Sequence, residues 1–351
     1  MSTWVSVWTR AVIEPAWRRT LAVWVGSAIA SAIVFGPTGM QPSDLTALAL
    51  HAPGVGAVLA ATWLLLFLPT ARVIVWADAA SYLRALPGPW LAPWLVGGAA
   101  LIAFQLPWLT LWVLGEGVRG AGVAGAMTVV IALVARWRPR TGRPRAPAWH
   151  ASGAALRGIY VRALRRRASD ALVRGAGLAI LAGLAAGLFV GNNQLGGVDA
   201  AVIGASVIAI VLVPATVGPA IALVEAHRQT AWLAASLGIS RATRVTALVW
   251  ALVLVQLAAS AIAIATSAIV LREAAPVAWI AITSLVCAVA AALGNARVLL
   301  VAAQAPSVAA RLAAGAVVVA AMTVLWLGLL GVAGLAAIVA SALFALLTVR
   351  V

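Results

Sequence analysis

Long apolar runs, separated by short segments that carry arginine, dominate this sequence. A helix needs about 20 apolar residues to cross a hydrocarbon core roughly 30 Å thick, and the runs are of that order. They are apolar on all sides, whereas the strands of a membrane barrel alternate between apolar and polar residues. Hydrophobic residues make up 64% of the chain and charged residues 9%, which leaves too little polar surface for a soluble domain. We therefore predict an all-α, polytopic integral membrane protein.

Ten transmembrane helices are predicted, and the last two are divided only by a short glycine-containing break. The predicted spans are 20–36, 55–76, 91–114, 118–135, 175–191, 200–223, 245–270, 276–294, 311–330 and 331–349.

The arginines predict the orientation of these spans. With the N-terminus in the cytoplasm, 22 of the 24 arginines lie in or beside cytoplasmic segments. Because cytoplasmic loops of membrane proteins are enriched in positive charge, both termini are expected in the cytoplasm, in the inner membrane of a bacterial cell. By the same argument, the net charge of +16 comes from arginines placed beside the lipid bilayer, so the bilayer, and not nucleic acid, is the expected partner.

Two basic, amphipathic segments precede the first and fifth spans. The N-terminal residues set Trp4, Trp8 and Trp17 among arginines, and the segment from Leu156 to Arg174 interleaves arginines with leucine, valine and tyrosine. Both are predicted to be helices that lie in the membrane interface. Between the repeats, 136–155 is predicted to be a basic Pro/Arg linker, because repeated proline cannot hold a helix.

The acidic residues suggest an internal duplication. They form four pairs, in order along the chain and 147 to 157 residues apart: Glu14 with Asp170, Asp44 with Asp199, Asp78 with Glu225, and Glu116 with Glu273. We predict two parallel repeats, 1–135 and 156–294, each with an interfacial helix and four spans, followed by an extra helix pair in 295–351. The alternative is that any polytopic membrane protein places acids in its loops.

The sequence offers no residues for catalysis or metal binding. No acid lies in the middle of a predicted span, Cys287 is the only cysteine, and the three histidines are expected in separate loops. The chain also has no lysine, so it lacks the lysine of a Walker A motif. We predict neither an enzyme nor a directly bound cofactor.

Two glutamines are polar exceptions within the spans. Gln105 and Gln256 each lie about twelve to fifteen residues into a predicted span, 151 residues apart. In one interpretation both amides line a substrate path; in the other, each makes a hydrogen bond between helices, worth on the order of 1 kcal/mol.

The most informative segment is 224–247. It contains an acid, a short amphipathic helix predicted to end at Gly238, and then Ser240, which is expected to cap the following span. Its Leu237-Gly238-Ile239-Ser240-Arg241 resembles the Leu-Pro-Val-Ser-Arg pattern in the cytoplasmic loop after the second span of ABC-2-type (type V exporter-like) permeases. In the first half, Tyr82-Leu83-Arg84-Ala85-Leu86-Pro87 keeps the Leu-Pro and lacks the Ser-Arg. The interfacial helices also resemble the elbow helices of that family.

The resemblance implies the permease subunit of an ABC transporter that exports an amphipathic or hydrophobic substrate. ATP and Mg²⁺ would bind in separate ATPase subunits, two copies of which are expected, and a second permease chain or a second copy of this one could complete the pore. The residues expected to dock the ATPase are Glu225, Arg228, Trp232, Leu233, Leu237, Ser240 and Arg241, together with Asp78, Tyr82, Leu83 and Arg84. The first half departs from the family's usual six spans. An ATP-independent carrier or a membrane assembly scaffold remains the alternative.

Overall fold

The computed structural model describes residues 2–37, 39–85, 92–137, 152–271, 273–302 and 307–347. Within these ranges every regular element is a helix. The chain divides into two compact units, Met1–Ala28 with Phe35–Gly142, and Ile29–Val34 with Arg143–Val351.

The helices of the first half enclose an aromatic core. The α4 helix packs against its neighbours α3, α5 and α6, and the buried rings of Trp63 and Trp108 lie 5.7 Å apart. The elements are α1 (Ser2–Trp8), a π-helical turn (Thr9–Ile13), α2 (Glu14–Val34), α3 (Pro42–His51), α4 (Pro53–Trp76), a 3-10 helix (Asp78–Ala85), α5 (Ala92–Phe104) and α6 (Leu106–Arg136).

The second half begins with the helix predicted to be interfacial and continues through eight further α-helices in the described residues. They are α7 (Ser152–Arg167), α8 (Ser169–Asn192), α9 (Gly197–Val211), α10 (Val213–Gln229), α11 (Ala231–Ser236), α12 (Arg241–Leu271), α13 (Ala274–Ala302), α14 (Val308–Leu330) and α15 (Gly334–Leu347).

Close backbone contact joins α8 to α12 in the core of the second unit. A Cβ on Gly183 would overlap the carbonyl oxygen of Ala263, so only glycine permits this approach. The hydroxyl of Ser267 donates a hydrogen bond to the carbonyl of Gly183 at 3.0 Å. Small residues at helix contacts, strengthened by hydroxyl hydrogen bonds, are the usual means by which helices associate in lipid.

Six helical stretches in the described part of the chain are long and apolar enough to cross a membrane. They are Pro53–Leu83, Leu106–Arg136, Ser169–Asn192, Arg241–Leu271, Ala274–Val301 and Val308–Phe344. A seventh is added if α9 and α10, which meet at a 49° bend, together form one span. The prediction of an all-α, multi-pass membrane protein is thus confirmed, whereas length and composition alone give fewer spans than the ten expected.

Two of the six stretches contain a glycine with positive φ. Gly117 in α6 (φ 57°) and Gly331 between α14 and α15 (φ 58°) both break the helical path. The turns also share local packing: a Cβ on Gly120 would overlap the carbonyl oxygen of Trp112, and one on Gly334 would overlap that of Trp326. Both breaks fall between consecutive predicted spans. Both turns share a sequence pattern in which a tryptophan is followed by glycines five and eight residues later. This pattern can be seen in the sequence, but it was not among the matches predicted between the two halves.

Three local predictions need correction. The segment 37–54, between the first two predicted spans, was expected to be a loop, but it contains α3, whose start is stabilised by a capping box between Gln41 and Asp44. The interfacial helix was expected to continue to Arg174, but it ends at Arg167, because Ala168 leaves helical geometry (φ −113°, ψ 14°).

The third correction concerns the histidines. His51 is the last residue of α3, and His227 lies in the last turn of α10, so neither is in a loop. His150 lies outside the described residues.

Candidate functional site

The docking segment, defined here as residues 224–241, is a helix–turn–helix connection. It comprises the end of α10, the short helix α11, a turn at Gly238 with φ 65°, and the first residue of α12. The hydroxyl of Ser240 accepts a hydrogen bond from the backbone N–H of Thr243 at 3.2 Å. The predicted short helix and the predicted cap by Ser240 are therefore both confirmed.

Large apolar side chains on this segment are exposed. Trp232 is 71% exposed and Leu237 is 61% exposed, while Leu233 is half-buried and Ala234 is buried against the unit. The surrounding residues Glu225 and Arg241 are charged and exposed. An exposed tryptophan and leucine within a polar border are typical of a surface that binds either a protein or a membrane.

Hydrogen bonds tie the start of the docking segment to the end of the interfacial helix. A guanidinium N–H of Arg167 donates to Oε1 of Gln229 at 2.7 Å, and the amide of Gln229 donates to Oε1 of Glu225. The Glu225 carboxylate, which was expected to contact a partner, is thus linked through Gln229 to α7. Arg228 is exposed on the same turn.

A second network joins three helices at the base of the segment. The Tyr160 hydroxyl lies 2.9 Å from Nδ1 of His227, and Nη2 of Arg244 lies 3.4 Å from Nε2 of the same ring. Because the guanidinium can only donate, Nε2 must accept, so Nδ1 carries the proton and donates to the tyrosine oxygen. The hydroxyl of Thr230, which donates to the Ala226 carbonyl, also lies beside Tyr160 in this network. This tautomer gives both ring nitrogens of His227 a partner.

The pKa values of this network follow from burial. His227 lies beyond the apolar part of α10, on a turn shared with Glu225 and Arg228. Burial, with further effects of the Arg244 and Arg241 charges, lowers its pKa from 6.5 to about 4, so the imidazole is neutral near pH 7. Burial raises the pKa of Tyr160, against the smaller opposing effects of the Thr230 hydrogen bond and the Arg244 charge.

The corresponding segment of the first unit is built differently. Asp78 begins a 3-10 helix, on which Tyr82 is 56% exposed and Leu83 is buried. Leu83 therefore packs within the unit. The side chain of Arg84 and the following Leu86-Pro87 lie outside the described part of the structure.

Gln105 lies in a break between α5 and α6 and is fully buried. The indole N–H of Trp63 donates to its Oε1 at 2.7 Å, and its amide donates to the Leu101 carbonyl at 3.0 Å. Both ends of the amide are satisfied by the protein. For this residue the structure supports the interpretation as a hydrogen bond between helices.

Gln256 lies in the second unit and has different surroundings. It borders three cavities, of which one measures about 330 Å³ and the other two only about 20 and 30 Å³. The large cavity lies between α7, α8, α10 and α12, and Gln256, Thr216 and Arg165 are the polar residues on its wall. Gln256 therefore lies beside an open volume of the second unit.

Outside this cavity the described residues offer little reactive chemistry. Cys287 is buried in α13, and no group of three or more His, Cys, Asp or Glu side chains in the described ranges could hold a metal ion. Comparison of the chain with protein-family models, curated proteins and solved structures finds no match.

Proposed function

We propose that this chain is the permease subunit of an ABC transporter, which exports an amphipathic or hydrophobic substrate and depends on separate ATPase subunits for energy. The observation that carries the proposal is the docking segment. Its sequence resembles the coupling loop of ABC-2-type permeases, and its Trp232 and Leu237 are exposed beside charged side chains. ATP and Mg²⁺ belong to the ATPase, of which two copies are expected.

The networks beneath the docking segment support a mechanical role. Movement of α11 acts directly on α10 and α12, between which it is inserted. Tyr160 and Arg167 extend this coupling to the interfacial helix α7, through His227 and Gln229. A partner bound at Trp232 would thus act on three helices that border the cavity beside Gln256.

Ten spans with both termini in the cytoplasm of a bacterial inner membrane are part of the same proposal. Most described residues of the predicted spans lie in helices, apart from short breaks such as those at Gln105 and Leu212 and the end of the first span after Val34. The first span lies in the last part of α2, after Glu14, Arg18 and Arg19, and its helical residues 20–34 extend about 22 Å at 1.5 Å per residue. The breaks at Gly117 and Gly331 support reading their stretches as two spans each.

We also propose the tandem repeat, because the helices of the two halves follow one another in a similar order. Glu14 and Asp170 lie in the first turns of α2 and α8, and Asp44 and Asp199 in the first turns of α3 and α9. An acid in the first turn favours any helix, because it faces the positive end of the helix dipole. The support therefore comes from the shared order of the helices. In each half, a helix with an acidic first turn (α2 or α8) is followed by a helix pair (α3–α4 or α9–α10) that breaks before a proline, Pro53 or Pro214.

Affinity purification of the full-length chain from its own cells tests the function. We expect it to retain a protein that contains Walker A, Walker B and ABC signature motifs. The double variant Trp232→Glu, Leu237→Glu should lose most of that protein, because two carboxylates replace the apolar contact. The control is Trp137→Glu, which changes an equally exposed tryptophan outside the docking segment.

The two possible failures have different meanings. If no such ATPase is retained and the double variant transports normally, the ABC proposal is lost in favour of an ATP-independent carrier or a scaffold. If the Trp137 variant loses the ATPase as completely as the double variant does, the docking segment is not the contact surface.

A further inference from the structure

The large cavity of the second unit has the size of a ligand site. Its volume is about 330 Å³, within the range of roughly 300–1,000 Å³ found for small-molecule pockets. Apolar side chains from four helices form most of its wall, including Leu164 of α7, Leu172 of α8, and Leu254 and Ile262 of α12. The other two cavities beside Gln256 are more than ten times smaller.

The apolar lining of the site favours a flexible apolar chain as its occupant. A flexible, unbranched apolar chain can fill such a volume, and the bilayer around α8 and α12 supplies chains of this kind at high concentration.

The charge at the cavity comes from the interfacial helix. Arg165 lines the cavity and is also exposed, so its guanidinium can meet a group at the membrane surface while its stem lies along the apolar wall. Two other arginines of α7 are engaged elsewhere: Arg157 lies over the Trp250 ring at 5.9 Å, and Arg167 donates to Gln229. Arg165 makes no ion pair with any acid of the described residues.

We propose that this cavity binds one acyl chain of an anionic phospholipid, whose phosphate is held by Arg165 at the membrane surface. A planar guanidinium recognises phosphate oxygens through paired, charge-assisted hydrogen bonds. The apolar wall takes the chain, and Gln256 and Thr216 are the polar side chains on the wall besides Arg165. The site belongs to the chain by itself and does not require the ATPase.

Native mass spectrometry of the full-length chain in detergent tests the site without any partner protein. The probes are phosphatidylglycerol and phosphatidylcholine with identical acyl chains. We expect one tightly retained phosphatidylglycerol, bound about fivefold more tightly than phosphatidylcholine. This is the preference expected from the attraction between one arginine and an anionic lipid. Arg165→Gln should abolish this preference, whereas Arg166→Gln, on the same helix but not on the cavity wall, should keep it.

A second pair of variants tests the cavity itself. Ala259→Phe fills the cavity and should remove the tightly held lipid, while Ala261→Phe adds the same volume on an exposed position of α12 and should not. Each variant is compared with the parent by elution volume and helix content. If Ala259→Phe does not fold, the Arg165 and Arg166 pair decides alone.

Three outcomes overturn the inference. One is equal lipid retention by the Arg165 and Arg166 variants, and another is full retention by a folded Ala259→Phe chain; both indicate surface lipid only. The third is binding of a free fatty acid without any phospholipid binding. Since the measurement uses the chain alone, its failure leaves the ATPase proposal standing, and loss of the ATPase leaves the lipid site standing.

Discussion

Two glutamines from matched sequence positions have different structural roles. Gln105 satisfies the buried indole of Trp63, so its amide is part of the packing of the first unit. Gln256 borders a cavity of about 330 Å³ in the second unit. A polar residue within an apolar run is predicted to have a structural or a binding role. Which of the two roles it has depends on the helices that pack around it.

This difference predicts that substitution by leucine affects stability at Gln105 and transport activity at Gln256. Gln105→Leu leaves the Trp63 N–H buried without an acceptor, at a cost of about 1–3 kcal/mol, and should lower the thermal midpoint in detergent. Gln256→Leu should leave that midpoint near the parent value and lower substrate-stimulated ATP turnover of the complex. In a Trp63→Phe background, which has no indole N–H, Gln105→Leu should cost less. Equal destabilisation by both leucine variants would contradict the assignment.

Sequence patterns predicted the docking segment better than the surroundings of single residues. Gly238 and Ser240 act through local backbone geometry, which a few neighbouring residues determine, and both predictions hold. The burial of Leu83 and the cavity beside Gln256 depend on helices distant in sequence, and no single segment encodes them. The role of His227 was missed for the same reason, because Tyr160 lies 67 residues earlier.

At the scale of elements, the helices follow from the apolar runs, but their ends follow from local chemistry. The capping box at Gln41 and Asp44 lacks the usual Ser/Thr and Glu/Gln residues, and the short apolar stretch after it did not suggest a helix. The bend between α9 and α10 precedes Pro214, which cannot donate a backbone hydrogen bond to the turn before it. The turns at Gly117 and Gly331 share a sequence pattern, a positive φ and close backbone contacts, but Gly331 lies in the extra helix pair and not at the position that corresponds to Gly117 in the second predicted repeat.

The turn geometry predicts which glycines of α6 tolerate a side chain. Gly120→Ala forces a methyl group into the Trp112 carbonyl and should destabilise the first unit, by at least the ~1–3 kcal/mol typical of overpacking. Gly122→Ala is the matched control, because a Cβ there meets nothing within 4 Å. Since alanine favours helix over glycine by up to ~1 kcal/mol, this control should be neutral or stabilising. Thermal unfolding in detergent measures both, and a tolerated Gly120→Ala would show that the turn relaxes easily.

At the scale of the whole molecule, the number of spans depends on whether α2 and the bent pair α9–α10 cross the membrane, and on how two long helical stretches are interpreted. If Leu106–Arg136 crosses the membrane once, its 31 residues exceed the need for a single span, and Glu116 lies in mid-membrane. If the chain reverses at Gly117, Glu116 and Arg119 reach the external surface and avoid the cost of a charge in hydrocarbon. The positive-inside distribution of the arginines favours the second arrangement.

Cysteine labelling in intact cells separates the two arrangements. Cys287 is buried and should not react, and Val118 is 90% exposed beside the first turn. With a reversal at Gly117, a membrane-impermeant maleimide should label Val118→Cys from outside, and the matched Val332→Cys beside the second turn. Trp137→Cys should react only after permeabilisation, because the next segment is cytoplasmic. If Leu106–Arg136 instead crosses once, Val118→Cys lies in hydrocarbon and stays unlabelled. That result, together with external labelling of Trp137→Cys, would reject the ten-span topology.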